Sequence, residues 1–396
     1  MSSDLWMLPY YHGLLPREDA VLMLEEEGDF LIRVSEEFPG DERSFVLSAF
    51  FFGSAKHFII HEFNGRLSLN FKYEKVYETL QELVESYLIS KKSILSESKF
   101  MLKRSIGRKE WELKHSAIEK GEELGSGAFG IVMTGLLRCN DGTIKKVAIK
   151  EATLSKCTKS QIKDSMDEAR IMRKFKHPNV IEFYGVAVGQ EPLMIIMELA
   201  SEGSLKDYLQ RQKRSVRSKI YMCRGAASGL SHIHELNVVH CDVAARNCLF
   251  SDNKVKIADF GLTKELQRNQ KSIPLKDDQK LPIKWLAPES LIERAFTHKS
   301  DVWSFGILCW EIMSNGAAPY EGEGSNSFIA KKVYNGHRLK FSDEVPPSFV
   351  EFVTTCIWNG NANNRCNIEQ VLLWMNKHVE RICSPKSKTG SPRSRS

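Results

Sequence analysis

Apolar residues near the start of the chain follow two different periods, one after the other. The stretch 16–26 repeats them three and four positions apart behind a proline, which predicts an amphipathic helix. The stretches 29–35, 44–52 and 56–62 alternate β-branched or aromatic residues with polar ones, which predicts three strands. Helical spacing returns at 76–88. The pattern therefore predicts a helix, three or more strands and a second helix, in this order.

A second pattern follows the stretch 96–110, whose serine and charged residues are typical of a linker. Strands come first here, at 118–124, 130–137 and 145–151, and the later segments are mostly helical. The fold class is therefore α+β, with two globular parts. We divide the chain into a first domain at 6–94, a linker at 95–117, a second domain at 118–382 and a disordered basic tail at 383–396.

The composition narrows the class of protein. The 396 residues leave room for two or three domains, and 42% hydrophobic with 27% charged residues is ordinary for a soluble globular protein. The net charge of +6 is too balanced to indicate nucleic-acid binding, and no apolar run approaches the ~20 residues that span a bilayer. The N-terminus lacks a signal-peptide pattern and the second-position glycine of myristoylation. Nine cysteines without a Cys-x-x-Cys pair fit reduced thiols in a cytoplasmic protein.

A glycine-rich stretch joins the first two strands of the second domain. Glycines let backbone N–H groups approach phosphate oxygens without a side chain in the way. Alone the signal is weak, since such a hairpin is more often a simple turn, and a dinucleotide site would need a helix where this chain continues as strand. The residues of this candidate phosphate loop are Leu124, Gly125, Ser126, Gly127, Ala128, Phe129, Gly130, Ile131 and Val132.

Two charged residues follow the glycine loop at informative positions. Lys150 ends an apolar strand, and Glu168 lies on a helix predicted at 161–175. Each alone would be interpreted as a solvated charge. After a glycine loop, an ion pair of the two would aim the ammonium group at the α- and β-phosphates of a nucleotide.

The stretch 240–247 reads His-Cys-Asp-Val-Ala-Ala-Arg-Asn and can place a proton acceptor, Asp242, close to a metal ligand, Asn247. Asp259, in an Asp-Phe-Gly after a short strand predicted at 254–258, adds a second metal-binding group. An Ala-Pro-Glu at 287–289 and a long helix beginning at Asp301 come next. The order and spacing of these motifs resemble the protein-kinase domain over 118–382.

This resemblance implies a bilobal fold that binds ATP with Mg²⁺ (or Mn²⁺) between its lobes. Ala148, Glu198 and Ala200 would surround the adenine, with Met197 guarding the back of its pocket. Lys150 and the glycine loop would hold the phosphates. Arg365 is expected to pair with Glu289 as a buried structural bridge.

The resemblance also implies catalytic roles. Asp242 would accept the proton of the attacking hydroxyl group, and Arg246 would stabilise the transferring phosphoryl group. Asn247 and Asp259 would hold the metal. Ala-Ala-Arg at 244–246 and Pro-Ile-Lys-Trp at 282–285 resemble the tyrosine-specific branch, so the expected acceptors are protein tyrosines.

Arg33 stands within an apolar strand, where an arginine by default faces solvent. Its context, Phe-Leu-Ile-Arg-Val-Ser at 30–35, resembles the SH2 strand whose buried arginine binds a phosphotyrosine phosphate. The resemblance covers 6–94 and implies a central antiparallel sheet flanked by two helices. It also implies that Arg17, Arg33, Ser35 and His57 line the phosphate pocket. Phosphotyrosine-containing proteins would then be partners, alongside the protein substrates.

An SH2 module directly before a tyrosine kinase resembles the Fes/Fer family of non-receptor tyrosine kinases, as do Lys-His-Phe-Ile-Ile at 56–60 and Ile-Met-Glu-Leu at 196–199. We expect a cytoplasmic protein without a transmembrane segment that binds no nucleic acid. A nuclear fraction, or peripheral association with membranes or junction complexes, stays open, and by resemblance the SH2 domain would brace the small lobe.

One motif departs from the family pattern. Position 241, an arginine in most tyrosine kinases, is cysteine, and the loop 259–289 has no tyrosine, its hydroxyl side chains being Thr263 and Ser272. Since that arginine orders the loop by binding a loop phosphotyrosine, we hypothesise that such phosphorylation does not control this enzyme. Asp277 and Asp278 could hold the loop by fixed charge. The alternative is an SH2-bearing pseudokinase scaffold, against which the complete set of catalytic residues speaks.

Overall fold

A computed structural model describes residues 3–37, 40–70, 75–91, 93–94, 100–127, 130–151, 158–275 and 281–383. The chain divides into two compact units. The first contains the chain up to Arg173 and also Phe183–Leu199, and the second contains Lys174–Glu182 and the chain from Ala200 onward. No helix in the described ranges is both long enough and apolar enough to cross a bilayer.

The first unit begins with a five-stranded sheet of order β4-β3-β2-β1-β5. Antiparallel pairing places Arg33 of β1 opposite Val46 of β2, and Phe30, Leu31 and Ile32 of the same strand as Arg33 are fully buried. The elements of this part are α1 (Arg17–Met23), β1 (Asp29–Glu36), β2 (Arg43–Phe51), β3 (Ser54–Phe63), β4 (Arg66–Ser68), α2 (Leu80–Ser90) and β5 (Arg104–Ser105).

Both helices of this part are shorter at one end than the sequence predicts. The helix predicted at 16–26 ends at Met23, because the carboxylate of Asp29 accepts hydrogen bonds from the backbone of the next residues, at 3.0 Å from Glu25 N and 2.9 Å from Glu26 N. The helix predicted at 76–88 begins only at Leu80, after Tyr77 has paired its backbone with β4. Local apolar spacing does not report such competing partners.

The predicted linker is structured in its described part. Arg104 pairs in parallel with Asp29, so β5 extends the first sheet, and its guanidinium group donates to the Asp29 carboxylate at 2.6 and 2.8 Å. Residues 95–99 lie outside the described ranges.

A second antiparallel sheet of the first unit has the order β6-β7-β8-β10-β9. Val147, Ile149 and Ile196 are fully buried at its centre. Thr158 and Gln161 form a capping box, so the adjoining helix begins two residues before the predicted start. The elements are β6 (Ile118–Gly127), β7 (Gly130–Arg138), β8 (Ile144–Glu151), α3 (Lys159–Met172), β9 (Phe183–Ala187) and β10 (Met194–Glu198).

The second unit is mainly helical. Its elements are α4 (Leu205–Arg211), α5 (Val216–Glu235), β11 (Val238–Val239), β12 (Cys248–Ser251), β13 (Lys254–Ile257), β14 (Lys264–Glu265), β15 (Ile273–Pro274), α6 (Pro288–Glu293), β16 (Ala295–Phe296), α7 (His298–Met313), α8 (Asn326–Tyr334), α9 (Pro347–Phe352) and α10 (Ile368–Cys383). The long helix predicted from Asp301 begins at His298, because Thr297 caps it. Arg365, fully buried, donates to Glu289 at 2.6 and 2.9 Å, which confirms the predicted bridge.

These two sheets and the helical second unit confirm the α+β class. Three groups of predictions lie outside the described residues: Ala128 and Phe129 of the glycine loop, Asp277 and Asp278, and the tail from 384 onward.

Candidate functional site

Lys150 and Glu168 form an ion pair inside the first unit. Nζ of Lys150 lies 2.8 Å from each carboxylate oxygen of Glu168, and the two side chains are 15% and 8% exposed. Poor access of water strengthens the attraction of such a pair and fixes the ammonium group in place. The predicted ion pair is therefore present, and β8 and α3 supply its two halves.

The hairpin between β6 and β7 leaves room for a ligand. Gly125 lies opposite Val132, and a Cβ added at Gly125 would meet no atom within 4 Å. Gly130 has a φ of +135°, which side-chain-bearing residues rarely adopt. Packing therefore does not explain the glycine at 125, whereas an anion that approaches the backbone would. The described loop residues fit a phosphate group.

The strands behind this hairpin carry the residues predicted to surround the adenine. Val132 lies opposite Lys150 across the sheet, and Ala148, buried, lies opposite Met197. Glu198 is the last residue of β10. Ala200 begins the second unit, where its carbonyl oxygen accepts a hydrogen bond from the backbone of Gly203 at 3.3 Å.

In the loop that follows β11, two residues later in the same loop donate hydrogen bonds to the carboxylate of Asp242. Nη2 of Arg246 donates to one carboxylate oxygen of Asp242, and Nδ2 of Asn247 donates to the other at 2.6 Å. Nδ2 of Asn247 also donates to the backbone oxygen of Asp242 at 2.8 Å. With its amide nitrogen committed in this way, Asn247 has its carbonyl oxygen left for a hard cation such as Mg²⁺.

A residue of helix α7, Asp301, fixes the backbone of the same loop. The carboxylate of Asp301, buried in the second unit, accepts backbone hydrogen bonds from His240 at 2.7 Å and Cys241 at 3.0 Å. Burial alone would raise the pKa of Asp301, but hydrogen bonds from His234 and His240 outweigh burial and hold that pKa below its usual range. Asp301 therefore stays ionised and pins the backbone beside Asp242.

Asp259 has a φ of +57° and an exposed side chain, while the next residue is anchored. Phe260 is buried against Phe175 and His240, with ring centroids at 4.9 and 5.3 Å. The backbone N–H of Ala258 donates to the backbone oxygen of Asn247 at 2.9 Å. This hydrogen bond ties the strand before Asp259 to the loop that carries Asn247.

Arg246 stacks on Trp285 at 4.2 Å, and its Nη1 atom is buried without a hydrogen-bond partner among the described residues. A buried cationic donor of this kind suits an anion such as a phosphoryl group. Glu311 supports the arrangement, because one of its carboxylate oxygens accepts from Ala245 N at 2.9 Å and from Trp285 Nε1 at 3.0 Å. Burial raises the pKa of Glu311 to about 7.

Cys241 lies in an apolar cluster that sequence reasoning did not find. Its side chain is 3% exposed, and burial raises the pKa of the thiol well above its usual value, so the thiol is neutral. The Cys241 cluster consists of Val239, Cys241, Leu286 and Phe296, with the partly buried Leu262, Leu266, Ile273, Leu275, Leu281, Ile283 and Leu291 packed against them. Most of these residues belong to the segment that follows Asp259 in the sequence.

The two hydroxyl residues of this segment differ in exposure. Thr263 is 1% exposed and donates to the backbone oxygen of His240 at 3.1 Å. Ser272 lies half-buried next to β15. Thr263 is therefore a structural residue, and Ser272 is the more accessible of the two.

The four residues predicted to bind phosphotyrosine, all in the first unit, line one cavity of about 350 Å³. They are Arg17, Arg33, Ser35 and His57. Nε of Arg33 donates to the Oγ atom of Ser48 at 3.1 Å, and Nδ1 of His57 lies 2.9 Å from the same atom. Arg33 is 5% exposed, and burial lowers its pKa to about 10. Burial, followed by the charges of Arg33 and Arg17, lowers the pKa of His57 to about 4.

No described carboxylate lies within 4 Å of the Arg33 guanidinium group, although the charge of Glu18 acts on it from further away. A buried cation without a direct ion pair favours binding of an anion, and a phosphate group would satisfy it. Ser48, fully buried, was missed by sequence reasoning, although its place on β2, which pairs with the strand of Arg33, could have suggested it.

Helix α1 is joined to helix α3 within the same unit. Arg170 donates to the two carboxylate oxygens of Asp19 at 3.1 and 2.7 Å, and Arg173 adds a contact at 3.3 Å. His12 lies 2.7 Å from Glu112, and both side chains are fully buried. Nothing in the local sequence pattern indicated these contacts.

Comparison with known proteins agrees with this geometry. The family model "Protein tyrosine and serine/threonine kinase" matches residues 118–375, and the SH2 model matches residues 10–87. Fer-related kinase 1 of Caenorhabditis elegans is 35% identical over 372 residues, which is 94% of each chain. Human tyrosine-protein kinase Fer is 35% identical over 362 residues, 90% of this chain and 42% of Fer. The transforming protein Fps of Fujinami sarcoma virus is 32% identical over 368 residues, 92% of this chain and 40% of Fps. The chain thus spans less than half the length of human Fer and of this Fps protein.

Proposed function

The chain belongs to the SH2-containing protein tyrosine kinases of the Fes/Fer family, and from this premise we propose which of its residues perform the phosphoryl transfer. The enzyme is a non-receptor kinase that uses ATP to phosphorylate protein tyrosines. The observation that carries the residue assignment is the Asp242 carboxylate, which is held by Arg246 on one oxygen and by Asn247 on the other.

The family uses ATP and a divalent metal ion, which we propose to be Mg²⁺ or Mn²⁺. When bound, ATP supplies the phosphoryl group and the metal ion neutralises charge on its phosphates. Lys150, fixed by Glu168, would bind phosphate oxygens, and the backbone at Gly125 leaves space for them. The oxygens of Asn247 and Asp259 fit the metal.

Asp242 is proposed as the group that orients the tyrosine hydroxyl and accepts its proton. Its hydrogen bonds to Arg246 and Asn247 fix the carboxylate, so little reorganisation is needed on substrate binding. Arg246 retains a buried Nη1 atom that would bind the developing negative charge.

A tyrosine-peptide phosphorylation assay of wild type and Asp242→Asn tests the assignment. The variant should lose about 100-fold or more of kcat, since general-base catalysis contributes that much. The control is Asp252→Asn, in the turn between β12 and β13, which should retain activity. A pseudokinase would instead bind ATP with no transfer in wild type, and full activity of Asp242→Asn would contradict the proposed role.

The SH2 domain implies binding of phosphotyrosine peptides, and we propose that Arg17, Arg33, Ser35 and His57 form the phosphate pocket. The buried charge of Arg33 supports this assignment. Binding of a phosphotyrosine peptide to wild type and Arg33→Ala, measured by calorimetry, tests it. Binding by the variant at wild-type affinity would refute the assignment.

We further propose that phosphorylation of the loop 259–289, which contains no tyrosine, does not control activity. The Cys241 cluster supports this, because apolar packing can hold the segment where other kinases use an arginine and a phosphotyrosine. Phosphatase treatment of active enzyme, with mass spectrometry of the loop, should leave activity unchanged. Loss of activity with loss of a phosphate at Ser272 would refute the proposal.

A cytoplasmic location is likewise a proposal. It is supported by seven cysteines in the described part of the chain, whose thiols are free. Fractionation of cells that express the full chain would test it, with the nuclear and membrane fractions as the alternative outcomes.

A further inference from the structure

The cavity that contains Arg33 has a wall from outside the SH2 domain. Lys159, Ile162 and Lys163 of α3 line it together with the SH2 residues. Positions three and four apart share one face of a helix, so these residues project from α3 as a single surface. Glu168 lies on the opposite face of the same helix, where it meets Lys150.

Lys159 is attached to the rim of this cavity. Its Nζ atom donates to the backbone oxygen of Glu36 at 3.0 Å and lies 3.5 Å from that of Glu37. These two residues directly follow Ser35. Lys163 lies 3.3 Å from Glu18, and buried Ile162 fills the wall between the lysines.

The two lysines decide the charge of the cavity. Among its described lining residues, His57 is neutral at pH 7, because its pKa is lowered to about 4. The charged lining side chains are the five cations Arg17, Arg33, Arg43, Lys159 and Lys163 and the three carboxylates Glu18, Glu36 and Glu37. Without the two lysines the charges of the lining side chains would cancel. A phosphotyrosine side chain has a charge of about −1.5 to −2 at neutral pH, so the positive charge of the lysines would favour its binding.

We propose that the phosphotyrosine site is composite, with Lys159 and Lys163 of the kinase helix α3 contributing to the binding of the phosphate dianion. This inference rests on the proposed phosphotyrosine pocket and deepens it. The kinase domain is then part of the ligand-binding site of the SH2 domain.

Calorimetric titration of the full chain with N-acetyl phosphotyrosine amide tests the proposal, because this probe carries the phosphate without a peptide sequence. Lys159→Gln and Lys163→Gln should each weaken binding about 2- to 5-fold and the double variant about 10-fold, the range of partly exposed charges. The difference should shrink at high salt, and Lys159→Arg should retain affinity. Lys146→Gln, an exposed lysine on β8, is the matched control and should bind like wild type.

Three outcomes are decisive. Weaker binding by the double variant, with wild-type affinity in the Lys146 control, supports the composite site. Wild-type affinity of the double variant, when Arg33→Ala has lost binding, overturns the composite site and leaves the proposed SH2 pocket intact. Wild-type affinity of Arg33→Ala overturns the pocket and the composite site together. Melting temperatures of all variants show whether each is folded.

Discussion

Replacing Arg170 by methionine tests whether the SH2 domain braces the kinase helix α3. Arg170 donates to both oxygens of Asp19, which is 2% exposed, and to Asp167 at 2.7 Å. Methionine retains most of the aliphatic length and removes the charge. The substitution leaves the buried carboxylate with only the longer contact to Arg173.

The expected loss of stability follows from this burial. Breaking a buried ion pair costs about 3–5 kcal/mol, because one charge stays behind without a partner. Arg170 is 24% exposed, and Arg173 remains, so solvent and the second arginine reduce the cost. We expect about 2 kcal/mol, which lowers the melting temperature of a unit of this size by about 4–8 °C.

The activity should fall as well, since α3 carries Glu168. A loss of about 2 kcal/mol can shift a conformational equilibrium at most about 30-fold, which limits the expected decrease in kcat/KM. Asp19→Asn should act in the same direction. The double variant should have nearly the same stability and activity as Arg170→Met, because both substitutions break the same contact between Arg170 and Asp19.

Thermal melting and a tyrosine-peptide kinase assay of the four proteins measure this coupling. Arg66→Met and Glu78→Gln are the controls, because this pair of the same unit is 57% and 73% exposed with 3.7 Å between its charged atoms. They should change the melting temperature by less than about 1 °C. Additive effects of Asp19→Asn and Arg170→Met, or unchanged activity in both, would refute the bracing role.

Three further predictions concern the second unit. Cys241→Ser places a hydroxyl group in an apolar cluster at a cost of about 1–3 kcal/mol, so limited proteolysis should cleave the loop 259–289 faster than in the Cys139→Ser control. Glu289→Ala leaves buried Arg365 without its carboxylate and should destabilise the unit by about 3 kcal/mol, whereas an unchanged melting temperature would contradict the role of this bridge. The pKa of Glu311 is about 7 in the folded chain against an ordinary 4.5, so its protonation favours the folded state at low pH and this contribution is lost as the pH rises towards 7. Glu311→Gln should therefore melt with less dependence on pH between about 4.5 and 7, and an unaltered pH profile would count against the raised pKa.

Much of the candidate site could be predicted from the sequence, because its motifs are short and their order is fixed. The Lys150–Glu168 and Glu289–Arg365 ion pairs could both be predicted, because the family resemblance names the partner of each residue. Helix ends were predicted less well. They depend on single competing contacts, such as those of Asp29 with the residues after α1, which apolar periodicity does not contain.

The sequence by itself determined the strands and helices and the set of reactive side chains, because apolar period and motif spacing are properties of neighbouring residues. Only the tertiary structure decided what surrounds them. Cys241 became part of an apolar cluster because segments distant in sequence pack around it. Lys159 and Lys163 came to line the cavity of Arg33 because helix α3 contacts helix α1 of the SH2 domain. Such contacts depend on how whole elements bury their surfaces together, and no local pattern records that choice.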